Sequence, residues 1–97
     1  MQEKLERLAA AGIQLLPAEL PTHFLFERDG FVALVERRGE AFGAIGTPSL
    51  LMDSGLAVLV WRGDLPYFVG KGHESPATEE QVEALRGFAS DLEAALA

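Results

Sequence analysis

Two imidazoles occur in the chain, His23 and His73, alongside 15 acidic side chains and no cysteine. Imidazole titrates near neutral pH, so acid–base or metal chemistry would begin with these residues. Neither stands in a ligand-spaced pattern such as HExxH or in a pair on one helix face, so no metal site and no cofactor is expected. Counting outward from a turn at Asp29-Gly30 sets His23 opposite Glu36 across a hairpin. A carboxylate there raises the imidazole pKa, and the two could exchange a proton. The same pair serves equally as a cross-strand contact, and no catalytic residue is assigned on it.

Gly70-Lys71-Gly72-His73 follows a strand-like run and precedes a helix, a place where free backbone N–H groups and a Lys can hold a phosphate. It lacks P-loop spacing, and Glu74, Glu79 and Glu80 put negative charge where the anion would sit. Gly43-Ala44-Ile45-Gly46 has the form of the GxxG clamp of KH domains but lies in a strand-like run. With a net charge of -7, no nucleic-acid partner is expected. Ser54, in Met-Asp-Ser-Gly-Leu, has Met52 where a GxSxG elbow has its first glycine. Arg62-Gly63-Asp64 has the form of an adhesion tripeptide and reads as a polar turn between apolar strands. Trp61, with Tyr67 and Phe68 on the returning strand, could wall a small-molecule pocket, its polar groups drawn from His23, Glu36, Lys71 or His73.

These residues must be positioned by a chain of 97 residues, 48% hydrophobic and 24% charged, which is expected to form one domain spanning 1–97. The opening residues Met1 to Leu8 read as an amphipathic stretch rather than an export leader, and a cytoplasmic location is expected. The longest uninterrupted apolar run, Leu56 to Trp61, is far shorter than the about 20 residues of a membrane helix, so no membrane partner is expected.

Leu5 and Leu8, with Gly12 as a stop, predict a short helix over 2–11. Ile13 to Leu16 reads as an extended segment that Pro17 and Pro21 confine to an edge or loop. Asp29-Gly30 suits a type I′ turn joining Thr22–Arg28 to Phe31–Arg37. Ala41 to Gly46 reads as a third strand, and Leu50 to Met52 as a strand or one helical turn. Asp53-Ser54-Gly55 then turns into Leu56 to Trp61, a central strand apolar on both sides. Leu65 to Val69 follows as a strand carrying Pro66, and Gly70-Lys71-Gly72 is expected to end the sheet. Thr78 with Gln81 forms a capping box for a helix over 79–96, whose stripe is Val82, Leu85, Ala89, Leu92 and Leu96. Gly87 inside that helix predicts close packing against a neighbour or a mild bend.

The expected fold class is α+β: an antiparallel sheet of about five strands in hairpin or meander order, a short N-terminal helix, and a long C-terminal helix packed on one face. The order of elements resembles that of small profilin-like and roadblock-like domains and of compact secretion chaperones. The resemblance is architectural, and Ala41 to Met52 offers at best one helical turn where a roadblock-like domain has a helix.

Phe24 to Phe26, Phe31 to Val35 and Leu56 to Trp61 are apolar on successive residues, so both faces of the sheet call for cover. The long helix covers one. The other must meet the short helix and loops, curl on itself or pack on another subunit, and the expectation is a second subunit or a protein partner, with Phe31, Leu59 and Trp61 as interface candidates. Residues 74 to 97 hold six acids and one base, so five of the seven net negative charges belong to the last helix and its lead-in. These features point to a non-enzymatic cytoplasmic protein-interaction domain, homodimeric or bound to a protein partner through a sheet face or edge. The competing reading is a small-molecule-binding domain or minor enzyme with its pocket near Trp61, Tyr67 and Phe68.

Overall fold

The computed structural model describes residues 2–17, 21–52 and 55–97. Helix α1 (Gln2–Ala10) leads into eight strand segments: β1 (Gln14–Leu16), β2 (His23–Arg28), β3 (Phe31–Arg38), β4 (Ala41–Ile45), β5 (Ser49–Met52), β6 (Gly55–Arg62), β7 (Leu65–Gly70) and β8 (His73–Pro76). Helix α2 (Glu79–Leu96) follows.

The register starts at Asp29-Gly30. Asp29 has φ +54° and Gly30 φ +88°, the double positive backbone that a type I′ turn requires. Counting from that turn, Arg28 pairs with Phe31, Phe26 with Ala33, Phe24 with Val35 and His23 with Glu36. The other edge of β3 is shared by β4 and β5: Arg37 pairs with Phe42, Val35 with Ile45, and Val32 with Ser49. These two segments act as one interrupted strand. A bulge shifts the register between Val35 and Arg37, and across Gly46-Thr47-Pro48 the chain gains one further residue on β3, held where the Gly46 N–H donates to the Leu34 carbonyl at 2.7 Å. Every connection is thus to the next strand, a pure antiparallel meander ordered β1-β2-β3-β5-β6-β7-β8 with β4 beside β3.

The sheet therefore exceeds the expected five or so strands. Gln14–Leu16 pairs with β2 as an edge, and Ser49–Met52 is a strand rather than a helical turn. Strands β4 and β5 occupy the place where a roadblock-like domain has its helix. Gly70-Lys71-Gly72 does not end the sheet. Gly72, at φ +70°, turns the chain back so that Val69 pairs with Glu74 and Gly70 with His73. Strand β8, His-Glu-Ser-Pro, carries no aliphatic residue, so its pairing rests on the backbone and leaves no hydrophobic pattern to read. Asp53 and Ser54, expected in a turn, lie outside the described residues.

One face of the sheet makes the core. Phe26, Phe31, Ala33, Val35, Ala57 and Phe68 pack with Leu85, Phe88, Leu92 and Ala95 of α2 and with Leu8 of α1. Phe24, Phe26 and Phe42 extend it as an edge-on aromatic group, with centroids 5.1 Å apart for Phe24–Phe42 and 5.8 Å for Phe26–Phe42. Helix α2 begins as its sequence dictates: the Gln81 N–H donates to Thr78 Oγ1 at 3.1 Å, and the Thr78 N–H to Gln81 Oε1 at 2.9 Å. Arg28 joins the layers, donating from Nη1 to the Ala11 carbonyl at 2.9 Å and to Asp91 Oδ2 at 2.7 Å, with its guanidinium 5.8 Å from the Phe88 ring. Arg28 also lies beside Gly87, where a Cβ would meet Nη2 at 3.7 Å, an ordinary van der Waals contact, so close packing does not require a glycine there.

Candidate functional site

Paired residues of an antiparallel sheet share a face, and successive residues alternate. Leu25 with Leu34, Leu51 with Leu56, Ser49 with Val58, Val58 with Val69, and Val60 with Tyr67 therefore all lie opposite α2. Within the described residues no helix lies on that face. Leu51 is 48% exposed, Leu56 46%, Val58 40% and Leu65 60%. Val32, on the same face, is only 1% exposed and does not belong to the core cluster. It forms the floor of a hollow of about 80 Å³ bordered by Leu25, Leu34, Ser49 and Leu56. The open face is thus mainly apolar across β2, β3, β5, β6 and β7, with a dimple at Val32 and the buried Ser49 beside it.

Polar groups stand around this surface, each with a partner in its own chain. Arg38 Nε donates to Glu36 Oε1, and the two are further held by charge. Gly43 on β4 leaves room for this pair: a Cβ there would lie 2.8 Å from Arg38 Nε and 2.9 Å from Glu36 Oε1. The arginine's hydrogen bond and its charge hold the Glu36 carboxyl below its ordinary pKa, with a smaller opposing effect of desolvation and a small assist from His23. Arg62 forks onto Glu74, with Nη2 2.9 Å from Oε2, and its guanidinium lies 5.1 Å from the Tyr67 ring. Gln14 Nε2 donates to Glu27 Oε1 at 2.9 Å.

The residues singled out from the sequence are distributed as follows. His23 does face Glu36 across β2 and β3, but the carboxylate is engaged by Arg38, and His23 Nδ1 lies 2.8 Å from Thr22 Oγ1. Trp61 lies on the helix side at the end of β6, 47% exposed, with Arg86 5.7 Å from its ring. Tyr67 is on the open face, whereas Phe68 is 1% exposed in the core. Alternation therefore sends the three aromatics to three environments. Lys71 and His73 lie at the β7–β8 turn, at the opposite end of β7 from Trp61. Among the interface candidates, Phe31 is 5% exposed in the core and Leu59 is a half-buried neighbour of it, so only Trp61 is broadly accessible.

A hollow of about 370 Å³ beside Trp61 is lined by Asp64, Glu79, Glu83 and Arg86 among others, and one of about 360 Å³ beside His23 by Leu16 and Arg37. Each contains a single residue of the expected ligand-binding set. A larger one, about 620 Å³ between Gly46–Pro48 and Ala89 and Glu93 of α2, contains none. Among the described residues no group of three His, Asp or Glu converges to hold a metal, and no helix is long and apolar enough to cross a membrane.

The residues missed from the sequence are Leu51, Leu56, Val58 and Val60. One signal could have found them. The covered face places Ala33 and Ala57 under α2, small residues that let a helix approach, whereas the opposite parity carries branched side chains at every described central position of β6. Comparison with protein-family models, with curated proteins and with solved structures gives no match.

Proposed function

We propose that this chain is a non-enzymatic protein-interaction domain that associates through the open face of its sheet. One observation carries the reading: Leu51, Leu56, Val58 and Val60, with Leu25 and Leu34 alongside, form an apolar surface opposite the face that both helices cover. Contiguous exposed apolar area of a few hundred Å² or more marks interaction surfaces in soluble proteins. The scatter of His23, Glu36, Trp61, Tyr67, Lys71 and His73 over both faces and both ends of the sheet supports binding of a macromolecule over binding of a small ligand.

The test is light scattering coupled to gel filtration across micromolar concentrations, with hydrogen exchange of β5 and β6 followed alongside. The expected result is a mass above that of one chain, or above it on adding a protein partner, with protection gained at Leu56 to Val60. Monomeric behaviour throughout, with no partner-dependent protection of those amides, overturns the reading.

A further inference from the structure

We infer that the open face is closed by a second copy of this chain, packed sheet to sheet about a two-fold axis beside Val58, with α2 of each copy on the outside. This deepens the association proposed above and rests on it. Of three features, charge selects a second copy over an unlike partner, and area and the short edges place the contact on the face.

The first is charge. A surface that meets its own copy sets like charge against like, so it has to be close to neutral. The chain carries -7. By register, the charged residues on the open face are Glu27, Glu36 and Glu74 against Arg38 and Arg62, a net of -1 with His23 neutral. The remaining -6 is the sum over all other residues, including Arg28 and Arg37 on the helix side of the sheet. Helix α2 alone holds five acids against Arg86, a net of -4, on the side turned away. Arg38 and Arg62 are already neutralised by Glu36 and Glu74 of their own chain, so the face offers no unmatched cation or acid cluster to select a basic or acidic partner.

The second is area. The apolar surface crosses the five strands β2, β3, β5, β6 and β7 at about 4.8 Å each and about five residues deep at about 3.3 Å, a footprint of roughly 400 Å² before side-chain relief. A stable interface buries about 800 Å² of accessible surface per partner, so the leucines and valines standing above the sheet have to add about as much again. Two sheets meeting face to face form a sandwich core about 10 Å thick, the arrangement in which such a surface is covered on every strand at once.

The third is the weakness of the alternative route, edge pairing. The outer strands are β1, with three residues followed by Pro17, β8, with four residues ending in Pro76, and β4, whose five residues pair with β3 alone. Edges this short offer few free backbone groups for strand addition. The face, not the edge, is what remains to be covered.

The experiment is sedimentation equilibrium on the full chain and on Val58→Glu and Val58→Lys, each alone and mixed in equal amounts. The wild-type chain is expected to dimerise at micromolar concentration. Each single variant is expected to shift the monomer–dimer midpoint upward by about 30-fold or more, because like charges meet across the axis, and the mixture to recover a heterodimer because opposite charges then meet. Val58 is 40% exposed, so circular dichroism of each variant should match that of the wild type. If it does not, Leu51→Glu and Leu51→Lys address the same surface. A wild-type dimer that survives both charges, or single variants that the mixture does not rescue, overturns the two-fold contact while leaving association itself standing. A wild-type chain that stays monomeric to millimolar concentration overturns the second copy as occupant. Protection of β5 and β6 by an unlike protein then decides the broader proposal separately.

Discussion

The two faces of this sheet are built from the same strands and follow from the same turn, yet one is a core and the other a surface. Strand β6 shows the contrast within a few residues: Ala57 is 1% exposed beneath α2, and its neighbours Leu56 and Val58 are 46% and 40% exposed on the other side. Along β6 apolar character does not separate the two sets, since Leu56, Val58 and Val60 of the open side are as apolar as Ala57 and Leu59 of the covered side. Small residues at Ala33 and Ala57 admit a helix, and the chain supplies one long helix, long enough to cover one face. Burial of an apolar strand is thus set by what the rest of the chain can lay over it.

The contrast breaks first at Phe88, which is fully buried between α2 and the covered face. Phe88→Ala is expected to lose about 3–5 kcal/mol of unfolding free energy in urea titration, and a loss no larger than that of a surface change would mean that α2 does not anchor the core. Arg28→Ala removes the donor to Ala11 and Asp91 that ties the sheet to both helices. It should cost about 1.5–3 kcal/mol by the same titration, within the range of hydrogen bonds to charged groups. Thr78→Ala removes the N-cap of α2 and should lower stability by about 1 kcal/mol, with hydrogen exchange quickening in the first turn of that helix alone.

On the open side the same measurement should hardly move. Val58→Glu, unfolded at concentrations where chains are single, is expected to change stability by less than about 0.5 kcal/mol. A loss like that of Phe88→Ala would show the two faces to be equally buried. The smallest effect is at Glu36. Its folded-state pKa is lowered by Arg38, so its stabilising contribution is complete above the ordinary carboxylate value and is lost as pH falls through the lowered one. In a carbon-detected NMR titration the Glu36 carboxyl should titrate below the ordinary carboxylate value, and Arg38→Ala should move it back up.

Much of the covered half was legible in the sequence, because its determinants are local. Asp29-Gly30 fixes a register by its backbone alone, and Thr78 with Gln81 fixes where α2 begins. Residues such as β8 were not legible, since His73 to Pro76 pair through main-chain groups and carry no aliphatic side chain that a periodicity could register. The bulge at Val35–Arg37 hides in the same way, shifting which side chains share a face without altering composition. The candidate surface was legible as a need, in that consecutive apolar residues demand two covers. Its members were not, because parity is settled only once the helix has chosen a side. Phe31 and Leu59 fell to the helix, and Leu56 and Val58 did not.

The chain order of the meander has one more consequence. With β4 and β5 taken as one interrupted strand, every strand pairs with the next in the chain, so the sheet can assemble by successive local closures. Helix α2 follows all of them. Its contacts with Phe26, Phe31 and Phe68 can therefore form only once the last segment of the chain is made, and until then the side it covers is as open as the other apart from Leu8 of α1.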